Sequence, residues 1–223
     1  MLPHDTEAFT QGLAISEGVL YESTGLYGSS SLRKIDLKTG KIIEQVNLPP
    51  QYFAEGIAII DNNLMQVTWR EQTAFIYDKS NLKLIRAIPY RGEGWGLCSC
   101  GNQLLMTNGS YEIVNLQSNN MQVVSKLNAL SNNKKIFNLN DIESVGDSIY
   151  ANIWNTDIIV RLDKKNGCLT GIIDASGLLT REEKNKATQE GVLNGIAYNP
   201  IKQTFIITGK RWPWLFEVIF VPK

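Results

Sequence analysis

Two sets of residues in this sequence have types and spacings that suit chemistry on a small polar molecule. Members of the first set each precede a similar apolar segment, and they are Gln11, Glu55, Trp95, Asn140 and Asn194. Members of the second set follow fourteen residues later, or sixteen in the last case, and they are Gly25, Trp69, Gly109, Trp154 and Lys210. A carboxylate can accept and return a proton, an ammonium group can stabilise negative charge, and indoles can form the walls of a binding site. Brought together, these groups would hold a small polar ligand between aromatic walls.

The segments that follow the first set align with one another, at spacings of 44, 40, 45 and 54 residues. Each begins a series of short β-branched and aromatic runs that are separated by turn residues, which is typical of strands. Four strands in about 40 residues, repeated five times, predict a five-bladed β-propeller of the all-β class. We expect residues 1–223 to form this single domain. The aligned segments are Gly12-Leu13-Ala14-Ile15, Gly56-Ile57-Ala58-Ile59, Gly96-Leu97-Cys98-Ser99, Asp141-Ile142-Glu143-Ser144 and Gly195-Ile196-Ala197-Tyr198.

A propeller gathers the residues that precede its innermost strands around one end of the central channel, so both sets are expected at the same mouth. Other interpretations of the same residues remain open. Trp69 and Trp154 could pack between blades, and Glu55 could bind backbone amides at the end of a loop. Lys210 could be solvated. Arg211, Trp212 and Trp214 favour packing or the rim of the mouth.

The fifth repeat is incomplete in the sequence. The chain ends soon after the run from Trp214 to Ile219, and no strand is evident before Pro3. Either the fifth blade has three strands or a closing strand upstream is missing, and we favour the second interpretation. One helix is predicted, over about 180–187, where Thr180 can cap it and acids occupy its first turn.

Composition narrows the classes of function. The chain has 43% hydrophobic and 20% charged residues with a formal net charge of zero, so neither nucleic acid nor a membrane surface is favoured as a partner. No apolar run has the length of a membrane span, and the N-terminus does not resemble a signal peptide. The single histidine, His4, excludes a histidine-rich zinc site. The three cysteines are expected to be small core residues.

Several longer motifs resemble the plant and bacterial glutaminyl cyclases, also called glutamine cyclotransferases, over nearly the whole chain. The resemblance implies a five-bladed propeller that converts the N-terminal glutamine of a peptide or protein to pyroglutamate and releases ammonia, without a metal or other cofactor. Asp141 departs from the glutamate that is more frequent at this position. The motifs are Pro3-His4-Asp5, Ala8-Phe9-Thr10-Gln11-Gly12-Leu13, Glu55-Gly56-Ile57-Ala58, Gln66-Val67-Thr68-Trp69, Gly94-Trp95-Gly96-Leu97, Ile149-Tyr150-Ala151-Asn152-Ile153-Trp154, Val192-Leu193-Asn194-Gly195-Ile196-Ala197 and Thr208-Gly209-Lys210-Arg211-Trp212-Pro213.

The resemblance also implies roles for individual residues. Glu55 would be the catalytic acid that shuttles a proton, and Lys210 and Asn140 would stabilise oxygen charge on the tetrahedral intermediate. The substrate-binding residues would be Phe9, Gln11, Trp69, Trp95 and Trp154. Apolar neighbours would raise the pKa of Glu55 and Lys210 would lower it, and the sequence leaves the balance open.

The alternative function is a non-catalytic propeller that binds peptides or sugars at the mouth of its channel. A glycosidase is less favoured because that chemistry needs two carboxylates across the mouth, and neither set contains a second acid, although Glu22, Asp141 and Glu143 are near in sequence. We expect a monomer that has neither nucleic acid nor a membrane as a partner. Family members commonly occupy periplasmic or secretory compartments, and the absence of a leader here leaves the localisation unassigned.

Overall fold

The structure is a computed structural model and describes residues 1–187 and 190–221. The described strands form five four-stranded antiparallel sheets and one short hairpin, and a single short helix precedes the last sheet. In chain order the elements are β1 (Leu2–Pro3); β2 (Thr10–Ser16), β3 (Val19–Thr24), β4 (Ser31–Asp36) and β5 (Ile42–Asn47); β6 (Ala54–Ile60), β7 (Asn63–Thr68), β8 (Thr73–Asp78) and β9 (Leu84–Pro89); β10 (Leu97–Cys100), β11 (Gln103–Met106), β12 (Glu112–Gln117) and β13 (Val123–Asn128); β14 (Leu130–Ser131) and β15 (Lys134–Lys135); β16 (Leu139–Val145), β17 (Ser148–Ile153), β18 (Ile158–Asp163) and β19 (Leu169–Asp174); α1 (Arg181–Lys186); and β20 (Leu193–Asn199), β21 (Thr204–Gly209) and β22 (Trp214–Val218).

The sheets are the five blades predicted from the repeat, and their burial follows the order of strands. The innermost strands β2, β6 and β20 are buried along most of their length, whereas the outermost strands β5 and β13 are largely exposed. Five apolar clusters of described residues fill the spaces between successive blades. The last of them joins Leu13 and Leu20 of the first blade to Ile206 and Leu215 of the fifth, so the hydrophobic packing is continuous around the ring. The five-bladed β-propeller is therefore confirmed.

The closing strand of the fifth blade is present, which corrects the sequence-based interpretation that it is missing. Strand β1 pairs antiparallel with β22, with Leu2 opposite Leu215 and Pro3 opposite Trp214. The fifth sheet therefore has the strand order β1-β22-β21-β20. Two residues are too short to show strand periodicity, and a proline is accepted there because β1 is an edge strand.

Two connections lead into inner strands at the end of the channel where the first set lies. The β14–β15 hairpin precedes β16, and α1 precedes β20. The predicted helix is confirmed: Thr180 is its N-cap, and Glu183 completes a capping box with it. No helix in the described ranges is long and apolar enough to cross a membrane. Cys98 is buried as expected, but Cys168 is exposed, so the prediction of three core cysteines is wrong for Cys168.

Candidate active site

Four of the five residues in the first set lie at β-bulges rather than just ahead of the strands. The ladder between β6 and β7 passes directly from Ala54 to Ile57, which leaves Glu55 outside the regular pairing. The same register shift occurs at Gln11, Asn140 and Asn194 on the inner strands of three other blades. A bulge bends the strand and redirects a side chain. Trp95 precedes β10 but occupies the equivalent place, because its amide donates to the carbonyl of Thr107 at 2.9 Å.

Four members of the second set, all except Gly109, are fixed to a third set of residues that lie two positions before the first set. The backbone amides of Trp69, Trp154 and Lys210 donate to the carbonyls of Phe53, Asn138 and Val192, at 2.9, 2.8 and 2.9 Å. Gly25 binds the carbonyl of Phe9 in the same way, at 2.8 Å. The two-residue insertion before Lys210 therefore preserves its place in the ring.

All eight candidate site residues line one cavity of about 350 Å³ at this mouth. This volume lies at the lower end of the range for sites that enclose small ligands. The residues from the prediction are Phe9, Gln11, Glu55, Trp69, Trp95, Asn140, Trp154 and Lys210, and those that the sequence reasoning missed are Phe53, Asn155, Glu190 and Val192. Phe53 and Val192 could have been found, because they occupy the same repeat position as Phe9. Glu190 is a second acid that lines the cavity, although it belongs to neither set.

Glu55 is a buried carboxyl with a single side-chain hydrogen bond among the described contacts, from Gln11 Nε2 to its Oε1 at 3.2 Å. Gln11 is held in turn, because Asn194 Nδ2 donates to its Oε1 at 3.1 Å. Burial raises the pKa of Glu55 well above its usual range, and Lys210 lowers it only in part. The nearby charges of Asp141, Glu71 and Glu93 raise the pKa further. Burial therefore outweighs the lysine, which answers the question that the sequence left open.

Lys210 is buried rather than solvated, and its ammonium group lies 4.5 Å from the centre of the Phe9 ring. Burial lowers the pKa of Lys210 below its ordinary value, against the opposing effects of Glu55 and Glu190. Among the described residues no direct ion pair joins Lys210 to Glu55, although both line the cavity. The two groups can therefore act on a molecule that lies between them.

Aromatic rings form most of the remaining wall. Phe53 lies between Phe9 and Trp69, with ring centres 6.3 and 5.6 Å away, and Trp95 contacts Trp154 edge to face at 5.9 Å. Trp154 is 43% exposed and lies at the opening. The alternative interpretation of Trp69 and Trp154 as blade packing alone is not supported, because both line the cavity. By contrast Trp212 is buried in the core of the fifth blade, as the packing interpretation predicted.

Two further acids lie deeper in the channel and do not line the cavity. Asp141 accepts the backbone amides of Ile196 at 2.8 Å and Leu13 at 3.3 Å, so it joins inner strands of three blades. Glu143 faces a second cavity that the innermost strands line farther along the channel. Asn140, next to Asp141, lines the active cavity, and its Oδ1 is buried without a partner among the described atoms. Within the described ranges, no three His, Cys, Asp or Glu side chains are grouped to hold a metal ion.

Comparison with known proteins identifies relatives of this molecule. The family model for glutamine cyclotransferase matches residues 1–220. The glutaminyl-peptide cyclotransferase of Arabidopsis thaliana is 38% identical over 218 residues, which are 97% of this chain and 68% of that protein. The crystal structure of Myxococcus xanthus glutaminyl cyclase aligns with a TM-score of 0.90 and 34% identity, covering 97% of this chain and 92% of that one. The WD40 β-propeller domain of Doa1 shares the fold alone, with a TM-score of 0.55 and 10% identity over 89% of this chain and 60% of its own.

Proposed function

This chain belongs to the glutamine cyclotransferase family, and we propose that it converts the N-terminal glutamine of peptides to pyroglutamate with release of ammonia. One observation carries the proposal at the level of the site. A buried carboxyl with a raised pKa and a buried ammonium group line the same aromatic cavity without neutralising each other directly. This arrangement suits a reaction that moves a proton and develops negative charge on an oxygen.

The main requirement of the reaction is that the glutamine side chain folds back towards its own α-amine. The α-amine of the glutamine attacks its own side-chain carbonyl carbon, so the nucleophile and the electrophile belong to one residue. Holding a flexible side chain in the reactive conformation can supply a large part of the acceleration. Phe9, Trp69, Trp95 and Trp154 support this role because they line the cavity that would hold the side chain.

Glu55 acts as the proton shuttle in this proposal. As the amine nitrogen forms its bond to the carbonyl carbon, its surplus proton passes to the Glu55 carboxylate. The same proton then passes to the side-chain amide nitrogen as the bond from carbon to that nitrogen breaks, which gives the lactam and ammonia. A pKa raised towards that of the substrate amine suits a group that must accept and return one proton.

Lys210 and Asn140 stabilise the negative oxygen of the tetrahedral intermediate, and Gln11 binds the amine or the amide of the substrate. The charge of Lys210 is well suited because a buried ammonium group acts in a medium of low dielectric constant. Gln11 already donates to Glu55 and is fixed by Asn194, which supports a positioning role beside the proton shuttle.

The proposed acting unit is a monomer that forms one domain over residues 1–223. The eight residues assigned to catalysis and binding already line one cavity together, which supports a site that needs no second copy. The substrate is a peptide or protein with glutamine at its N-terminus. The residues after this glutamine would extend out of the cavity past the exposed Trp154. Neither nucleic acid nor a membrane is proposed as a partner, because the formal net charge is zero.

The first test is release of ammonia from a glutamine-initiated dipeptide by the wild type and by Glu55→Gln, with a chelator present. We expect the variant to lose more than about 10³-fold in kcat, because it cannot carry the proton. Glu17→Gln is a matched control, since Glu17 lines the other cavity and the charge change is the same. Retained turnover in Glu55→Gln would refute its role. A folded wild type that binds the dipeptide but releases no ammonia would favour the non-catalytic binding propeller.

A further inference from the structure

Glu93 joins two walls of the cavity although it does not line the cavity itself. Its Oε2 accepts the indole N–H of Trp69 at 2.9 Å and that of Trp95 at 3.2 Å. Its Oε1 accepts from Arg70 Nε at 3.1 Å. The Arg70 guanidinium also stacks on the Trp69 ring, 3.7 Å from the ring centre. One carboxylate therefore fixes the in-plane rotation of both indoles, and the arginine covers one face of the first.

The place of Glu93 in the repeat makes this arrangement specific to the third blade. Glu93 lies two residues before Trp95, at the position that Phe9 and Phe53 occupy in the first and second blades. Those phenylalanines form walls with their own rings. The third blade has an acid there instead, and this acid acts through the indoles of two neighbouring blades.

We propose that Glu93 is a positioning residue for the cyclisation, holding the Trp69 and Trp95 indoles at the orientation that folds the glutamine side chain of the substrate. This inference rests on the proposed function, because it assigns the two indoles to that side chain. The carboxylate is charged, so its hydrogen bonds to the indoles are stronger than those that a neutral amide would accept. A rotation of either indole would change the shape of the wall that is proposed to hold the substrate side chain.

The charge of Glu93 has a second effect on the same site. Four charged groups act on Glu55. They are Lys210 at the end of β21, Asp141 on β16, and Glu71 and Glu93 in loops of the second and third blades. The three acids raise the pKa of Glu55, in addition to its burial, and Lys210 opposes them. Removing the charge of Glu93 therefore lowers the pKa of Glu55 and moves the acid limb of the kcat/KM profile to lower pH.

Three variants separate geometry from charge. Glu93→Gln removes the charge, so it weakens both indole hydrogen bonds, and it places an amide N–H where Oε1 accepts from Arg70. Glu93→Asp keeps the charge but is one methylene too short to reach both. Glu71→Gln is the matched control for charge, since Glu71 also raises the pKa of Glu55 but binds Tyr27 Oη and the Phe53 amide rather than an indole.

The measurements are kcat and KM against pH for a glutamine-initiated dipeptide, and the near-ultraviolet circular dichroism of the indoles. We expect kcat to fall about 10–100-fold in both Glu93 variants, with a smaller change in KM, because misplaced walls impair orientation more than binding. The acid limb should move to lower pH in Glu93→Gln and Glu71→Gln but stay in place in Glu93→Asp. The indole bands should change only in the Glu93 variants.

A kcat within about twofold of the wild type in both Glu93 variants would overturn the proposal. So would equal losses in Glu93→Gln and Glu71→Gln, since charge alone would then explain them. Midpoints of thermal unfolding show whether each variant is folded, and Glu93→Asp serves if Glu93→Gln is not. If the wild type releases no ammonia, the proposed function has failed, and the indole spectra still report whether Glu93 positions the two rings.

Discussion

At the scale of single residues, the site depends on two buried ionisable groups whose pKa values move towards each other. Burial raises the pKa of Glu55 and lowers that of Lys210, because it destabilises the ionised form of both groups. A carboxyl shifted in this way can exchange a proton with an amine at little cost. The charge of Lys210 lowers the pKa of Glu55 against the effect of burial. The pH profile of the reaction therefore depends on both groups.

Replacing Lys210 by methionine tests that link. We expect kcat to fall about 10²–10³-fold, because a preorganised positive charge on the intermediate is lost. The acid limb of kcat/KM should move to higher pH, since Lys210 lowers the pKa of Glu55 and its removal lets that pKa rise further. Kinetics of ammonia release between about pH 5 and 9 give both quantities. An increase in KM alone, at unchanged kcat, would assign Lys210 to ground-state binding instead.

At the scale of strands, the glycines of the repeat allow the inner strands to approach closely around the axis. A Cβ added to Gly12 would lie 2.8 Å from the Cα of Gly56, and one added to Gly56 would lie 2.3 Å from the backbone nitrogen of Leu97. The amide of Gly56 also donates to the carbonyl of Trp95 at 2.6 Å. These contacts hold the bulge at Glu55 and the segment at Trp95, and both residues line the cavity.

Gly56→Ala should therefore lower the free energy of unfolding by about 1–3 kcal/mol, because the added methyl group meets backbone that cannot move independently. Gly171→Ala is the matched control, since its nearest neighbour is a flexible Arg161 side chain at 3.4 Å. Urea unfolding of both variants measures the difference. Equal stability of the two would show that the inner strands yield more easily than the structure indicates.

The repeat period made the blades and the two sets of site residues predictable, because the two innermost strands of each blade place equivalent residues at the same end of the channel. It did not reveal Glu93, whose partners Trp69 and Trp95 lie on different blades, nor Glu190, which lies in the connection after α1. It also missed β1, since two residues carry no pattern. The balance of charge and burial at Glu55 required coordinates, because solvent exclusion depends on the whole ring.

At the scale of the whole molecule, the ring is closed by a buried polar network beside β1. His4 Nε2 lies 2.8 Å from Glu22 Oε1, and His4 Nδ1 lies 2.7 Å from the carbonyl of Trp212. Thr10 Oγ1 donates to the same carboxylate at 2.7 Å. Burial alone would lower the pKa of His4, but Glu22 and the Trp212 carbonyl outweigh it and raise that pKa above its ordinary value of 6.5. The imidazolium form therefore joins the first blade to the fifth.

This network predicts how stability depends on pH. The contribution of His4 is complete below pH 6.5 and is lost as the pH rises through the raised pKa of the folded state. The contribution of Glu22, whose pKa is lowered, is present above its ordinary value of 4.5 and is lost as the pH falls through the folded value. We expect the midpoint of thermal unfolding to decrease as the pH is raised above 6.5.

Glu22→Gln should remove about 3–5 kcal/mol of stability, because a buried ion pair is broken. In this variant, the further decrease in stability above pH 6.5 should be smaller than in the wild type. Lys202→Met is the control on the fifth blade, where Lys202 and Glu217 form an exposed ion pair that contributes at most about 1 kcal/mol. Calorimetry at several pH values distinguishes the two variants. A wild-type midpoint that does not change between pH 6 and about 9 would contradict the role of His4.

The seam between the first and fifth blades also passes through the cavity. Phe9 and Gln11 come from one side of it and Lys210 from the other, and the contact between His4 and Trp212 joins residues 208 apart in sequence. Contacts between such distant residues carry a large entropy of loop closure until the intervening chain is ordered. During refolding, native secondary structure should therefore recover before turnover does. Turnover by the refolding chain should then report closure of this seam, because the cavity is complete only when the first and fifth blades meet.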